Sequence, residues 1–406
     1  MKTKLIIFTM ALMTGVLTSC VDTELCPEPA DQHPHLASVS YGFDWSKTQD
    51  NPKNLPDSMY VVAYRVINQW KSSVMVNCLG PKNKPAQGKY INNVVVEPTV
   101  YPGQTKTDTI EYFKVKSGEY KFLCFNGSNE EIDYTSVDKF IYQKDVDMHD
   151  LYFNFKTYEK ESPKLNRIIP KWTDYNNYTG YMQPAVRAVY YDTLTVRSLV
   201  ANRTYHEVFT HPKRLTQRLT FEFDIQKDLS GGLFTVDSVF AEVSGIPFSV
   251  NLSNGYIDIT KTSRMMFRAK LVVGANKDSL DNDNNKKVHC TAMIDVPTLI
   301  SSEYDDVYQG PGIMQIMVCC SVKDPADPTN RPPKKFQGLI NLYHTIQNAK
   351  LVTYTLDRQH VKKAKDYATL SIDADMVVNG ASILKSNDEN DGLDSWVPKG
   401  GVIIDL

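Results

Sequence analysis

Cys20 is the residue whose surroundings most clearly invite chemistry. It follows Leu17, Thr18 and Ser19, so a leucine and two small residues lead to a thiol. That is the spacing of a bacterial lipobox. Small side chains let a peptidase approach the backbone closely. The thiol is the nucleophile that receives diacylglycerol, and cleavage before Cys20 frees an amino group for a further acyl chain such as palmitate. Lys2 and Lys4 precede an apolar stretch, Leu5 to Leu17, that is too short to span a bilayer. Each buried methylene contributes about 0.8 kcal/mol, so several acyl chains together hold a protein firmly on a membrane. The competing reading is a plain secretory leader with a coincidental cysteine. Length, charge and Leu-x-x-Cys together favour lipidation.

Other side chains could do chemistry but lack its full pattern. There is no nucleophile elbow, zincin motif, phosphate loop or dinucleotide fingerprint. His33 and His35 form a weak metal pair and read better as solvated. Asp281, Asp283 and Asn285 have the alternating oxygen spacing of a calcium loop, but the glycine at the sixth position and the distal glutamate are both missing, and Lys286 and Val288 follow instead. Trp172, Tyr175, Tyr178 and Tyr181, with Tyr190 and Tyr191 beyond, make an aromatic-rich polar segment. Sugar faces stack on exposed rings, so these are candidate glycan contacts, against the plainer reading of aromatic packing around a loop. Asp192-Thr193-Leu194 has the form of an O-glycosylation sequon. The cysteines after Cys20 match no zinc spacing, and adjacent Cys319 and Cys320 on a strand must point to opposite faces. No catalytic residue, metal or cofactor is expected.

These residues need elements to position them. The chain has 406 residues, enough for two or three domains, and 42% are hydrophobic, enough to fill real cores. A net charge of -2 argues against a nucleic-acid binder. Removing residues 1–19 takes away Lys2 and Lys4 and moves that charge to -4. Asp22, Glu24, Glu28 and Asp31 then follow Cys20 in an acidic, proline-containing tether over 20–37. No later apolar run is long enough for a membrane helix.

Beyond the tether, alternation at period two recurs. Val39, Tyr41, Phe43 and Trp45 form one stripe. Leu151, Phe153 and Phe155 form another, as do Leu219, Phe221, Phe223 and Ile225. Met314 to Val322 and Leu370 to Met376 repeat the pattern. Turn signals separate them, among them Ser117-Gly118, Ser253-Asn254-Gly255 and Gly310-Pro311-Gly312. Long amphipathic helices are scarce; residues 357–367 suggest a short one. The expected class is all-β, with antiparallel β-sandwich domains in tandem. The polar segment 201–217 reads as a pause, which places the domains at 38–205 and 206–406.

Several of these elements, in this order, resemble the fimbrial anchor (FimB-type) lipoproteins of Bacteroidota. They are the Cys20 motif, Val39–Trp45 ending in Asp-Trp, Pro56 to Val61, and the hairpin-like Val115 to Tyr120 followed by Phe125-Asn126. His211 to Leu215 leads into a strand, and Val236 to Gly245 ends in a Ser-Gly turn. The resemblance implies two transthyretin-like, Greek-key sandwiches. It implies a place at the base of a surface fimbria, held to the outer membrane by the lipid on Cys20. The acidic residues after Cys20 resemble a surface-export signal. It further implies fimbrillin-like subunits as partners in cell adhesion.

The last residues supply a candidate contact. Val402, Ile403, Ile404 and Leu406 end an apolar strand that must find a sheet edge. It completes the chain's own sheet or is donated to a neighbouring subunit, and the intramolecular reading is preferred. The function read from the sequence is thus an outer-membrane, surface-facing anchor or assembly subunit, not an enzyme. The alternative is a surface glycan-binding lipoprotein.

Overall fold

The computed structural model describes residues 396–398 and residues 36–379 apart from 51–54, 78–84, 87–95, 101–108, 127–129, 144–145, 159–180, 184–187, 202–205, 273–286 and several single positions. Strands come first: β1 (Leu36–Phe43), β2 (Ser58–Arg65), β3 (Lys71–Asn77), β4 (Pro85–Ala86), β5 (Val96–Val100), β6 (Thr109–Lys116) and β7 (Gly118–Asn126). There follow β8 (Ile132–Asp133), helix α1 (Thr135–Tyr142), β9 (Tyr152–Phe155), β10 (Tyr190–Leu199), β11 (His206–Thr210) and β12 (Lys213–Arg214). Longer strands come next: β13 (Gln217–Asp228), β14 (Phe234–Asn251), β15 (Tyr256–Val272), β16 (Lys287–Val296), β17 (Ile313–Val322) and β18 (Pro333–Asn341). Helix α2 (Tyr343–Ala349), β19 (Val352–Tyr354), β20 (His360–Lys363), β21 (Tyr367–Asn379) and β22 (Trp396–Pro398) close the described chain.

The fold is all-β and its sheets lie in two regions. A four-stranded sheet runs β11-β1-β6-β5, and a six-stranded sheet runs β12-β10-β7-β2-β3-β4. The third sheet has twelve strands along β21-β13-β16-β15-β14-β17-β18-β22, with β8, β9, β19 and β20 attached. Among the described strands every pairing is antiparallel except β1 with β11 and β13 with β21.

The stripes bury as their spacing requires. Along β13 buried and half-buried residues alternate from Gln217 to the end, and Phe221 stacks on Phe267 with ring centres 5.1 Å apart. Ala37, Val39 and Tyr41 of the first sheet meet Met59, Val61, Phe122 and Tyr190 of the second in one core. The second sheet's other face sends Tyr60, Val62, Leu123 and Phe125 into a larger core with Phe153, Leu219, Phe221 and Val250. This sheet is therefore covered on both sides. That explains why Val61-Val62-Ala63 and Phe122-Leu123-Cys124-Phe125 are continuous apolar runs, as two-sided burial demands. Each fully buried side chain of that size contributes about 1.5–3 kcal/mol.

Four expectations are corrected. Residues 357–367 are not helical: β19 and β20 form a hairpin there, and β20 also pairs with β15. The Asp357 carboxylate accepts from the Gln359 and His360 amides at 2.8 and 3.1 Å, which fixes a turn and overrides helix propensity. Ser117-Gly118 does not close a hairpin. β6 belongs to the first sheet and β7 to the second, so the chain crosses between layers there. The Tyr120 hydroxyl donates back to the Lys116 carbonyl at 2.6 Å across that crossing. Ser244-Gly245 does not end a strand but makes a bulge inside β14, where the register with β15 shifts. Finally, the polar segment 201–217 contains β11 and β12, which pair with β1 and β10.

Candidate functional site

The described residues reach only some of the sites read from the sequence. Leu17, Thr18, Ser19 and Cys20 lie outside them, as do Trp172, Tyr175 and Tyr178, His33 and His35, Asp281, Asp283 and Asn285, and Val402, Ile403, Ile404 and Leu406. Tyr181 is described, and it is only 3% exposed. It packs with Tyr158, Phe240, Met266 and Met317 on one face of the large sheet. Its hydroxyl donates to the Glu242 carboxylate at 2.5 Å, and Arg264 approaches the other carboxylate oxygen at 3.5 Å. Burial and the neighbouring carboxylate push the phenol well above its ordinary range. Tyr181 is thus an interior residue that pins residues 181–183 to β15, where the Met182 amide donates to the Arg264 carbonyl at 2.6 Å.

A short piece of the C-terminal segment is placed. β22 pairs antiparallel with β18, with Leu339 opposite Val397. The described piece of the tail therefore adds to the chain's own sheet.

Among the described residues, a buried polar constellation lies at the junction of the sheets. Arg214, on β12, is buried with its guanidinium 1% exposed. Nη1 donates to both oxygens of Asp50 at 2.6 and 2.8 Å, and Nη2 pairs with Asp295 at the end of β16. Arg218 on β13 donates to the second Asp295 oxygen at 2.9 Å. Tyr190 on β10 donates to Asp50, and Lys363 on β20 donates to the Arg214 carbonyl. The Tyr367 ring lies 5.0 Å from the guanidinium. Burial raises the Asp50 pKa, but the Tyr190 and Tyr367 hydroxyls and Arg214 outweigh it and hold the carboxyl below its ordinary value. Burial lowers the Arg214 pKa, and Asp295 and Asp50 reverse that and raise it. Burial pushes the Tyr367 phenol up to about 12. Sequence reasoning missed this cluster, because Asp50 lies in a polar run 164 residues from its arginine.

Groups that do chemistry elsewhere are otherwise dispersed. His211 pairs with Asp44, His289 with Asp224, His344 with Asp305 and His360 with Asp357, at 2.8–3.2 Å. Among the described residues no group of three or more His, Cys, Asp or Glu could hold a metal ion. Burial pushes the Cys124 and Cys290 thiols up to about 12, so both stay protonated and weakly nucleophilic. Cys320 is buried and Cys319 half-buried, in keeping with their opposite faces. No described helix is long and apolar enough to cross a membrane.

Fold and site together define an all-β protein with a buried polar cluster that ties sheets to one another. No family model matches the chain, and no curated protein matches it. Among solved structures it is similar to a candidate adhesin from Bacteroides thetaiotaomicron, at 10% identity over 89% of this chain and 96% of that one, with a TM-score of 0.41. It is also similar to a candidate adhesin from Bacteroides ovatus, at 11% identity over 87% and 96%, with a TM-score of 0.38. A third likeness is to the fimbrial anchor protein Mfa2 from Porphyromonas gingivalis, at 9% identity over 91% and 100%, with a TM-score of 0.39.

Proposed function

We propose that this chain is a lipid-anchored outer-membrane protein that faces the cell surface and serves as anchor or assembly subunit of a fimbria-like polymer. The observation that carries the reading is the Leu17-Thr18-Ser19-Cys20 motif behind a short basic, apolar leader. Cys20 takes the lipid, and the acidic tether after it lifts the folded region, which begins with β1 at Leu36, off the bilayer. Two sandwich units of transthyretin-like, Greek-key type present sheet edges to fimbrillin-like subunits. The stretch from Val402 to Leu406 is the candidate contact strand. The protein holds its partners and catalyses nothing.

Cys20→Ala tests the anchor. Wild type is expected to label with palmitate and fractionate with the envelope, and the variant to do neither. A variant that still labels and sediments sinks the lipid assignment. Pull-down from solubilised outer membranes tests the partner. Fimbrillin-like subunits support assembly, whereas retention of polysaccharide without protein partners supports the glycan-binding alternative built on Trp172, Tyr175 and Tyr178.

A further inference from the structure

Two parallel strand pairs lie on the path that tension takes from the tether to the far end of the chain. β1 is the first described strand after Cys20, and it runs in the same direction as β11, with Val39 opposite His206 and Phe43 opposite Thr210. β13 begins the large sheet's share of the later chain. It runs in the same direction as β21, with Arg218 opposite Tyr367 and Asp228 opposite Asn379. In each pair the chain enters at the start of one strand and leaves at the end of the other. Tension through those two points slides the strands past each other along their length. All the ladder's hydrogen bonds then resist together. In an antiparallel hairpin pulled at its open end, the bonds lie along the force and break in succession.

The connector between the two pairs is fastened as well. Lys213 and Arg214 pair with β10, the Leu215 amide donates to the Val189 carbonyl at 2.6 Å, and Arg214 is gripped by Asp50 and Asp295. Force leaving β11 therefore passes to β13 without a slack loop. The β22–β18 pairing, which lies beyond β21 in the chain, covers three residues only and is far shorter than the β13–β21 ladder.

We propose that the protein is a load-bearing link, in which the β1–β11 and β13–β21 pairs act as shear clamps in series through the Arg214 connector. The direction of load rests on the membrane-tether reading above; the clamps themselves do not.

Single-molecule force spectroscopy on residues 20–406 tests this. The chain is held once by its two ends and once by its N-terminal end and a handle at Glu207, an exposed residue at the start of β11, the end of the pair at which β1 also begins. The second geometry peels the pair, so end-to-end unfolding is expected at a several-fold higher force. End-to-end opening at or below the peeling force would overturn the proposal.

Two proline variants localise the effect. The Thr210 carbonyl accepts from the Asp44 amide at 2.8 Å, so by alternation the Val208 amide also faces β1 and the Glu207 amide faces away. Val208→Pro is expected to lower the end-to-end force several-fold and Glu207→Pro to leave it unchanged. Equal loss in both removes the β1–β11 ladder from the clamp. If Val208→Pro does not fold, the comparison of pulling directions on the unsubstituted chain still decides. Palmitate labelling of the wild type is scored separately: its absence with a high end-to-end force sinks the tether and keeps the clamps, and its presence with a low force does the reverse.

Discussion

Arg214 shows how a single side chain can bind distant stretches of chain. Its fork geometry meets two carboxylates at once, which an ammonium cannot reproduce. Removing it leaves Asp50 buried without its main counter-charge. Arg214→Ala is expected to cost about 3–5 kcal/mol, read by thermal or denaturant unfolding. Arg214→Lys should recover only a fraction of that, because it keeps the charge and loses the fork. The Asp50 carboxyl is held below its ordinary value of 3.8 in the folded chain, so its contribution is present above that value and is lost as pH falls through the lower folded one. Stability should therefore drop on acidification below about pH 4, and Asp50→Asn, though weaker at neutral pH, should show a shallower acid slope. A variant as steep as wild type would show that other carboxylates set the acid limit.

Whole elements depend on local geometry of two kinds. Gly245 sits in the β14 bulge with φ at +90°, and a Cβ there would lie 2.3 Å from the Ile300 carbonyl oxygen. Ser244 fastens the same bulge by donating to the Gly310 carbonyl at 2.6 Å. Gly245→Ala should lose about 1–3 kcal/mol from backbone strain alone, with the clash adding to it, and chemical denaturation measures the loss. The β19–β20 hairpin depends on Asp357, whose carboxylate also accepts from Thr355 Oγ1 at 2.5 Å. In Asp357→Ala the amides of β19 and β20 should exchange with solvent faster while those of β13 stay protected. Uniform protection in the variant would mean that pairing with β15 alone sets the turn.

Across the whole molecule, the first and second halves of the chain share one core. Phe125 packs edge-on against Phe153 with ring centres 5.6 Å apart, and Phe153 belongs to the same cluster as Leu219 and Val250. β9 pairs with β14, so residues before 205 complete the large sheet. A fragment covering 206–406 should consequently bind a hydrophobic dye and melt without the cooperativity of the full chain. A sharp, dye-free transition in that fragment would show that its core closes alone.

How far these features could be read beforehand varies with their physical range. Val39 and Tyr41, the β13 stripe and the β17 stripe were legible, because alternation is a local consequence of the pleat and of one-sided burial. The runs Val61-Val62 and Phe122 to Phe125 signal two-sided burial, but they do not say which layers cover them. The 357–367 segment misled, since its lysine-rich composition favours a helix while an aspartate turn and a partner strand a hundred residues earlier make it a hairpin. Of the sites, the proposed lipidation motif at Cys20 is a linear pattern, since a peptidase and an acyl donor would act on a local run of residues. The Arg214 cluster and the two parallel clamps exist only once the chain has folded. Charge pairing and parallel strand order join residues far apart in sequence, and no local pattern records which of many charges or strands will meet.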